Sequence, residues 1–121
     1  MTSDDGLLDG IYRRGAVADH VSDGALVQAM LDVEAALARA CAGEGLIPEA
    51  AAEQIAAACD ADRLELADLA QRTAANATPV IGLVAALRTA VGADAREHVH
   101  VGATSQDVVD TALMLVARRA L

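Results

Sequence analysis

SDGALVQAMLDVEAALARA, Ser22–Ala40, is the stretch that decides the fold. Leu26, Met30, Val33 and Leu37, with Cys41 just beyond, recur at steps of four, three, four and four, which places them on one stripe of an α-helix. Ser22 or Asp23 can cap its start, and Gly43 and Gly45 end it. Downstream, Pro48 suits the first turn of a second helix, where its missing N–H costs nothing, and Glu49 complements the helix dipole. That helix reaches about Cys59. A third amphipathic stretch runs from about Leu64 to Ala74, with Leu66, Leu69 and Ala70 inward, and breaks near Asn76. Thr78-Pro79 is another cap-then-proline start; Val80, Leu83, Val84 and Leu87 then fall at i, i+3, i+4 and i+7 before Gly92. A fifth helix starts after Thr104-Ser105 and runs to Leu121. Upstream, residues 1–21 lack sustained periodicity and read as an arm with a short turn around Gly10–Gly15.

Composition agrees. The chain has 121 residues, 55% of them hydrophobic, with a single aromatic residue, Tyr12. Alanine dominates and only two prolines interrupt it, which favours helix throughout and excludes an all-β fold. The expected fold class is all-α. Nine arginines and no lysine face eighteen acids, a net charge of −9, so no basic stripe is available to neutralise a phosphate backbone. Nucleic acid is not an expected partner. The first ten residues carry three aspartates and no apolar signal segment, and no stretch approaches eighteen uncharged apolar residues, so a cytoplasmic protein with no membrane partner is expected. Cys41 and Cys59 match no metal or redox spacing and read as free, packed thiols.

The chemistry is concentrated in EHVHVGATSQDVVDT, Glu97–Thr111. HVHV reads as a short extended piece meeting Gly102, and Thr104-Ser105 lead into a helix whose first N–H groups lack intrahelical acceptors. Such a terminus favours an anion, and two hydroxyls with His100 nearby could hold a carboxylate. The same residues also fit an ordinary capping box, Thr104 to Asp107. Both readings stand on spacing alone. His98 and His100 could be metal ligands, but further ligands at a recognisable spacing are missing, and no metal is expected. His20 reads as a surface residue.

VHVGATSQDVVDTAL, Val99–Leu113, resembles the first conserved region of the fumarase/aspartase superfamily, in the form carried by adenylosuccinate lyases and bacterial 3-carboxy-cis,cis-muconate cycloisomerases. The GATSQD version favours the cycloisomerase branch. Ser22–Ala40, GLIPEAAAEQIA (Gly45–Ala56) and NATPVIGLVAALR (Asn76–Arg88) resemble that family's opening helices, so the likeness spans nearly the whole chain.

The resemblance implies the N-terminal helical domain of a fumarase/aspartase-type subunit over residues 1–103, arm included, with 104–121 as the start of the first central-bundle helix. Because that helix has no stop signal, the chain is expected to be a fragment. The family implies a homotetramer with each active site built from three subunits, no cofactor, and a small tricarboxylate substrate. The branch's reaction closes one carboxylate of 3-carboxy-cis,cis-muconate onto a double bond and gives 4-carboxymuconolactone, a step of protocatechuate breakdown in the β-ketoadipate pathway. Carried onto this sequence, His100, Thr104, Ser105 and Gln106 become substrate-binding residues. The acid and base groups are expected in segments absent here, so the isolated 121 residues are expected to be inactive.

Three departures qualify the match. Val101 stands where tryptophan often follows the histidine, Thr78-Pro79 replaces the histidine-aspartate pair of adenylosuccinate lyases, and the second histidine region and serine loop are absent. Tyr12, Arg13 and Arg14 fall about where those lyases hold a phosphate-contacting pair, but a solvated arm fits them as well. An adenylosuccinate lyase-like fragment and a non-catalytic helical oligomerisation module remain as alternatives. A free last helix would expose Val108, Val109, Leu113, Leu115 and Val116, which predicts burial against another copy.

Overall fold

The computed structural model describes residues 7–12 and 14–121, all helix and turn with no strand among them. Eight α-helical segments follow one another: α1 (Asp9–Tyr12), α2 (Val17–His20), α3 (Asp23–Gly43), α4 (Glu49–Ala58), α5 (Leu66–Asn76), α6 (Pro79–Ala90), α7 (Ala93–Arg96) and α8 (Ser105–Ala120). A 3-10 turn at Ala61–Arg63 links α4 to α5. The all-α expectation holds. No helix among the described residues is long and apolar enough to cross a membrane.

α3 is the axis of the fold, packed on α4 along one side and α8 along the other, while α5 and α6 pair with each other. Ser22 caps α3 by accepting the Ala25 N–H at 3.1 Å, which settles the choice between Ser22 and Asp23. The buried residues of α3 are Val27, Ala29, Met30, Leu31, Glu34, Ala35, Ala38 and Cys41. The expected stripe was therefore rotated: Leu26, Val33 and Leu37 flank the core half-buried, because a helix clasped from two sides buries a broader face than one amphipathic stripe. Alanines on that face let neighbouring helices come close. Expected core residues Val80, Leu83, Val84 and Leu87 of α6 are all buried.

On α5 only Leu69 is buried, while Leu66 and Ala70 are exposed, contrary to the inward trio expected. Gly82 explains how α5 and α6 approach: a Cβ there would stand 3.0 Å from the Arg72 Cβ and 3.2 Å from Leu69 Cδ1. Pro48 is the N-cap of α4 rather than its first helical residue. Gln28 fastens the loop after α4, donating to the Cys59 carbonyl at 3.1 Å and accepting the Ala61 N–H at 2.8 Å.

α8 does not lie free on α3. Val108 and Ala112 are fully buried, Val109, Leu115 and Val116 half-buried, and Arg119 donates to Asp32 at 2.7 Å. Of the five residues that a free helix would expose, four are covered at least in part within the chain itself and only Leu113, 45% accessible, is exposed, joined by Met114. The arm, read as irregular, holds the helical turns α1 and α2 around the expected turn at Gly15, whose φ is +65°. Arg14 is exposed and donates to the Gly10 carbonyl at 2.7 Å. Arg13 and the Tyr12 side chain lie outside the described residues.

Candidate functional site

Two local devices set the segment between α7 and α8. The first is a left-handed backbone: His100 has φ +64° and Gly102 φ +78°. HVHV is thus not extended, as its alternation suggests, but a run of turns. With no strand alongside to take its hydrogen bonds, the segment closes on its own backbone and on side chains: the His98 N–H donates to the Ala95 carbonyl, Arg88 to the Val99 carbonyl at 3.4 Å, and the Cys41 thiol to the Val101 carbonyl at 3.7 Å. His98 and His100 are therefore not alternate positions of a strand, and their rings have different partners. His98 lies 3.5 Å from Glu97. His20 is exposed.

The second device is the start of α8. Thr104 is the N-cap, and the Asp107 carboxylate accepts its N–H at 3.0 Å within a capping box. The capping reading is therefore realised, and it puts a negative side chain on one donor of the terminus. The first-turn N–H groups of Ser105 and Gln106 lie beyond the reach of intrahelical acceptors. Thr104 and Gln106 are exposed and Ser105 half-buried, while the Gln106 side-chain amide donates to Asp110 at 2.7 Å.

His100 joins this terminus to the core. Its Nδ1 lies 2.6 Å from Oε1 of Glu34, whose side chain is 1% accessible against 16% for the imidazole. Sequence reading missed Glu34. Its signal was its position: Val27, Met30, Leu31, Glu34, Ala38 and Cys41 share one face at helical spacing, and Glu34 is the one charge on it. Cys59 lies near the same carboxylate; burial foremost, then the Glu34 and Asp32 charges, push its thiol from 9.0 up to about 12. Both cysteines are free, Cys41 buried and Cys59 half-buried, as expected. Among the described residues no three His, Cys, Asp or Glu side chains gather at metal-binding distances.

The described residues thus form a helical layer with a glycine-turned, hydroxyl-capped helix start beside an imidazole. The chain belongs to the Lyase family, which it matches over residues 13–121. It is 47% identical over 120 residues to a nitrosuccinate lyase of Streptomyces davaonensis, covering 97% of this chain and 25% of that protein. It is 43% identical over 118 residues to a 3-carboxy-cis,cis-muconate cycloisomerase of Pseudomonas putida, covering 95% and 28%. The crystal structure of the 3-carboxy-cis,cis-muconate lactonizing enzyme from Pseudomonas putida superposes with a TM-score of 0.89 at 42% identity, over 95% of this chain and 27% of that one. The chain thus spans about a quarter of the length of the proteins it matches, and the expected likeness to the N-terminal part of the cycloisomerases is borne out.

Proposed function

We propose that this chain is the N-terminal part of a cycloisomerase that converts 3-carboxy-cis,cis-muconate to 4-carboxymuconolactone, with residues 104–121 opening its first central helix. The observation that supports it is continuous: likeness to the cycloisomerases covers 95% of the chain and includes the turn and helix start at 99–113. In the reaction one carboxylate attacks a double bond, and the neighbouring carbon, adjacent to another carboxylate, takes a proton. Negative charge grows on that second carboxylate in its aci form, so donors fixed beforehand at a helix terminus stabilise the transition state more than the ground state.

The Thr104 and Ser105 hydroxyls and the open N–H groups of Ser105 and Gln106 are these donors, with His100 as a further donor to a substrate carboxylate. Asp107 opposes an anion at the terminus, so the site needs donors the capping box does not consume, and the Ser105 and Gln106 N–H groups are such donors. The Gln106 side chain, tied to Asp110, contributes least. Acid and base groups come from other segments and other subunits of a cytoplasmic homotetramer, no cofactor takes part, and the isolated 121 residues turn nothing over.

The 47% identity to the nitrosuccinate lyase favours a second reading, a lyase of a nitrosuccinate-like carboxylic acid. Assaying the natural full-length polypeptide with both compounds separates them. Lactone formation from the muconate supports the first reading, turnover of nitrosuccinate alone supports the second, and turnover of neither overturns both. Thr104→Ala and Ser105→Ala should each lower kcat/KM by roughly ten- to a thousandfold, as when one oxyanion donor is removed. If instead the variants lose about 1 kcal/mol of stability and keep their kcat/KM, the two residues are caps only.

A further inference from the structure

Glu34 is an expensive residue to keep where it is. Its side chain is buried to 1% accessibility on the α3 face that otherwise holds apolar residues, and Oε2 has no hydrogen-bond partner among the described residues. Filling such a position with a well-packed apolar side chain is commonly neutral or stabilising, so bulk stability does not account for a carboxylate there. Among the described residues its one hydrogen-bonding contact is Oε1 to His100 Nδ1 at 2.6 Å, bridging 66 positions of sequence. His100 in turn sits in the left-handed region, a conformation that persists in a non-glycine residue only when its surroundings hold it. The carbonyls on either side of His100, those of Val99 and Val101, accept from α6 and α3 respectively, so backbone and ring are both fixed.

We propose that Glu34 is the positioning residue of His100: it accepts the Nδ1–H, locks the imidazole in one tautomer and orientation, and leaves Nε2 as the only ring nitrogen free for a ligand. A carboxylate on one ring nitrogen that dictates what the other does is the arrangement that orients histidines in metal and acid–base sites. For Nε2 to donate to a ligand carboxylate while Nδ1–H is engaged, the ring must hold both protons, and the buried Glu34 carboxylate is the counter-charge next to it. That consequence rests on the reading of His100 as a carboxylate donor; the positioning itself does not.

The test uses the full-length natural polypeptide with its histidines labelled with nitrogen-15, the His100 signal being assigned by its loss in His100→Gln. Long-range proton–nitrogen correlations report which ring nitrogen carries the proton. Wild type should show a protonated Nδ1, and Glu34→Gln, which keeps the volume, should show the Nε2–H tautomer or a mixture. Tricarballylate serves as the carboxylate probe: its affinity should fall roughly tenfold in Glu34→Gln and in His100→Gln, the loss expected for one hydrogen bond to a charged group. Glu34→Gln should then cost nothing further in the His100→Gln background.

A bare Nδ1 in wild type overturns the proposal, as does an equal affinity loss from Glu34→Gln with or without His100, which marks a purely structural role. If the tautomer answers to Glu34 but tricarballylate binds none of the proteins, the positioning is upheld and the carboxylate-site reading falls.

Discussion

Two residues of this chain other than glycine adopt left-handed backbone among those described, Ala77 (φ +56°) and His100 (φ +64°), and each precedes a threonine-capped helix. At Ala77 the conformation ends α5 and turns the chain into α6, with Thr78 accepting the Val80 N–H at 3.4 Å and Pro79 already set for the first turn. Ala77 is exposed and its methyl group makes no hydrogen bond. The strain there serves only the reversal, and glycine would do the same job more cheaply. His100 does what glycine could not, since its side chain reaches a buried carboxylate on a helix far away in sequence. Strain at one turn is a cost of connection; at the other it is coupled to a side chain held in a set orientation.

Replacing His100 by glycine has the largest expected effect. Relief of backbone strain offsets only part of the loss, because Glu34 is left buried with neither oxygen partnered, and chemical denaturation should show a net destabilisation of about 2 kcal/mol. A stabilised His100→Gly would erase the distinction between the two turns. Next comes Asp107→Ala, which removes the returning arm of the α8 capping box and should cost about 1 kcal/mol, against about 0.5 kcal/mol for Thr78→Ala, whose contact is longer. Ala77→Gly should be stabilising, by about 0.5 kcal/mol, as strain relief exceeds the added freedom of the unfolded chain. Destabilisation there would mean that Ala77 is held by more than its turn.

The smallest effect concerns Cys59, whose thiol is raised in part by the Glu34 charge. An unfolded thiol ionises near 9.0 and this one near 12, so as pH rises above 9 the unfolded chain releases its proton first. The thiol's contribution to stability is therefore intact below pH 9 and declines between 9 and 12. At pH 9 iodoacetamide should alkylate Cys59 more slowly than an unfolded-chain thiol, and Glu34→Gln should quicken the reaction modestly, because burial remains the larger cause of the shift. An unchanged rate in that variant would place the Glu34 charge too far from Cys59 to matter.

Much of the fold was legible because helices are local. Caps, prolines and i, i+3, i+4 spacings put Ser22, Thr78-Pro79 and Thr104-Ser105 at helix starts, and the structure has all three there. The Thr104–Asp107 box was legible for the same reason, both partners lying within one turn. The tertiary structure alone decided which side of α3 is core, since that depends on α4 and α8 closing on it from two sides. It also decided that HVHV is a run of turns: alternation specifies a strand only where a neighbouring strand takes the backbone hydrogen bonds, and here Arg88 and Cys41 side chains take carbonyls of the segment instead. The pairing of Glu34 with His100 is the furthest from sequence reading, because a contact across 66 positions follows from the packing of the whole chain and from no local spacing.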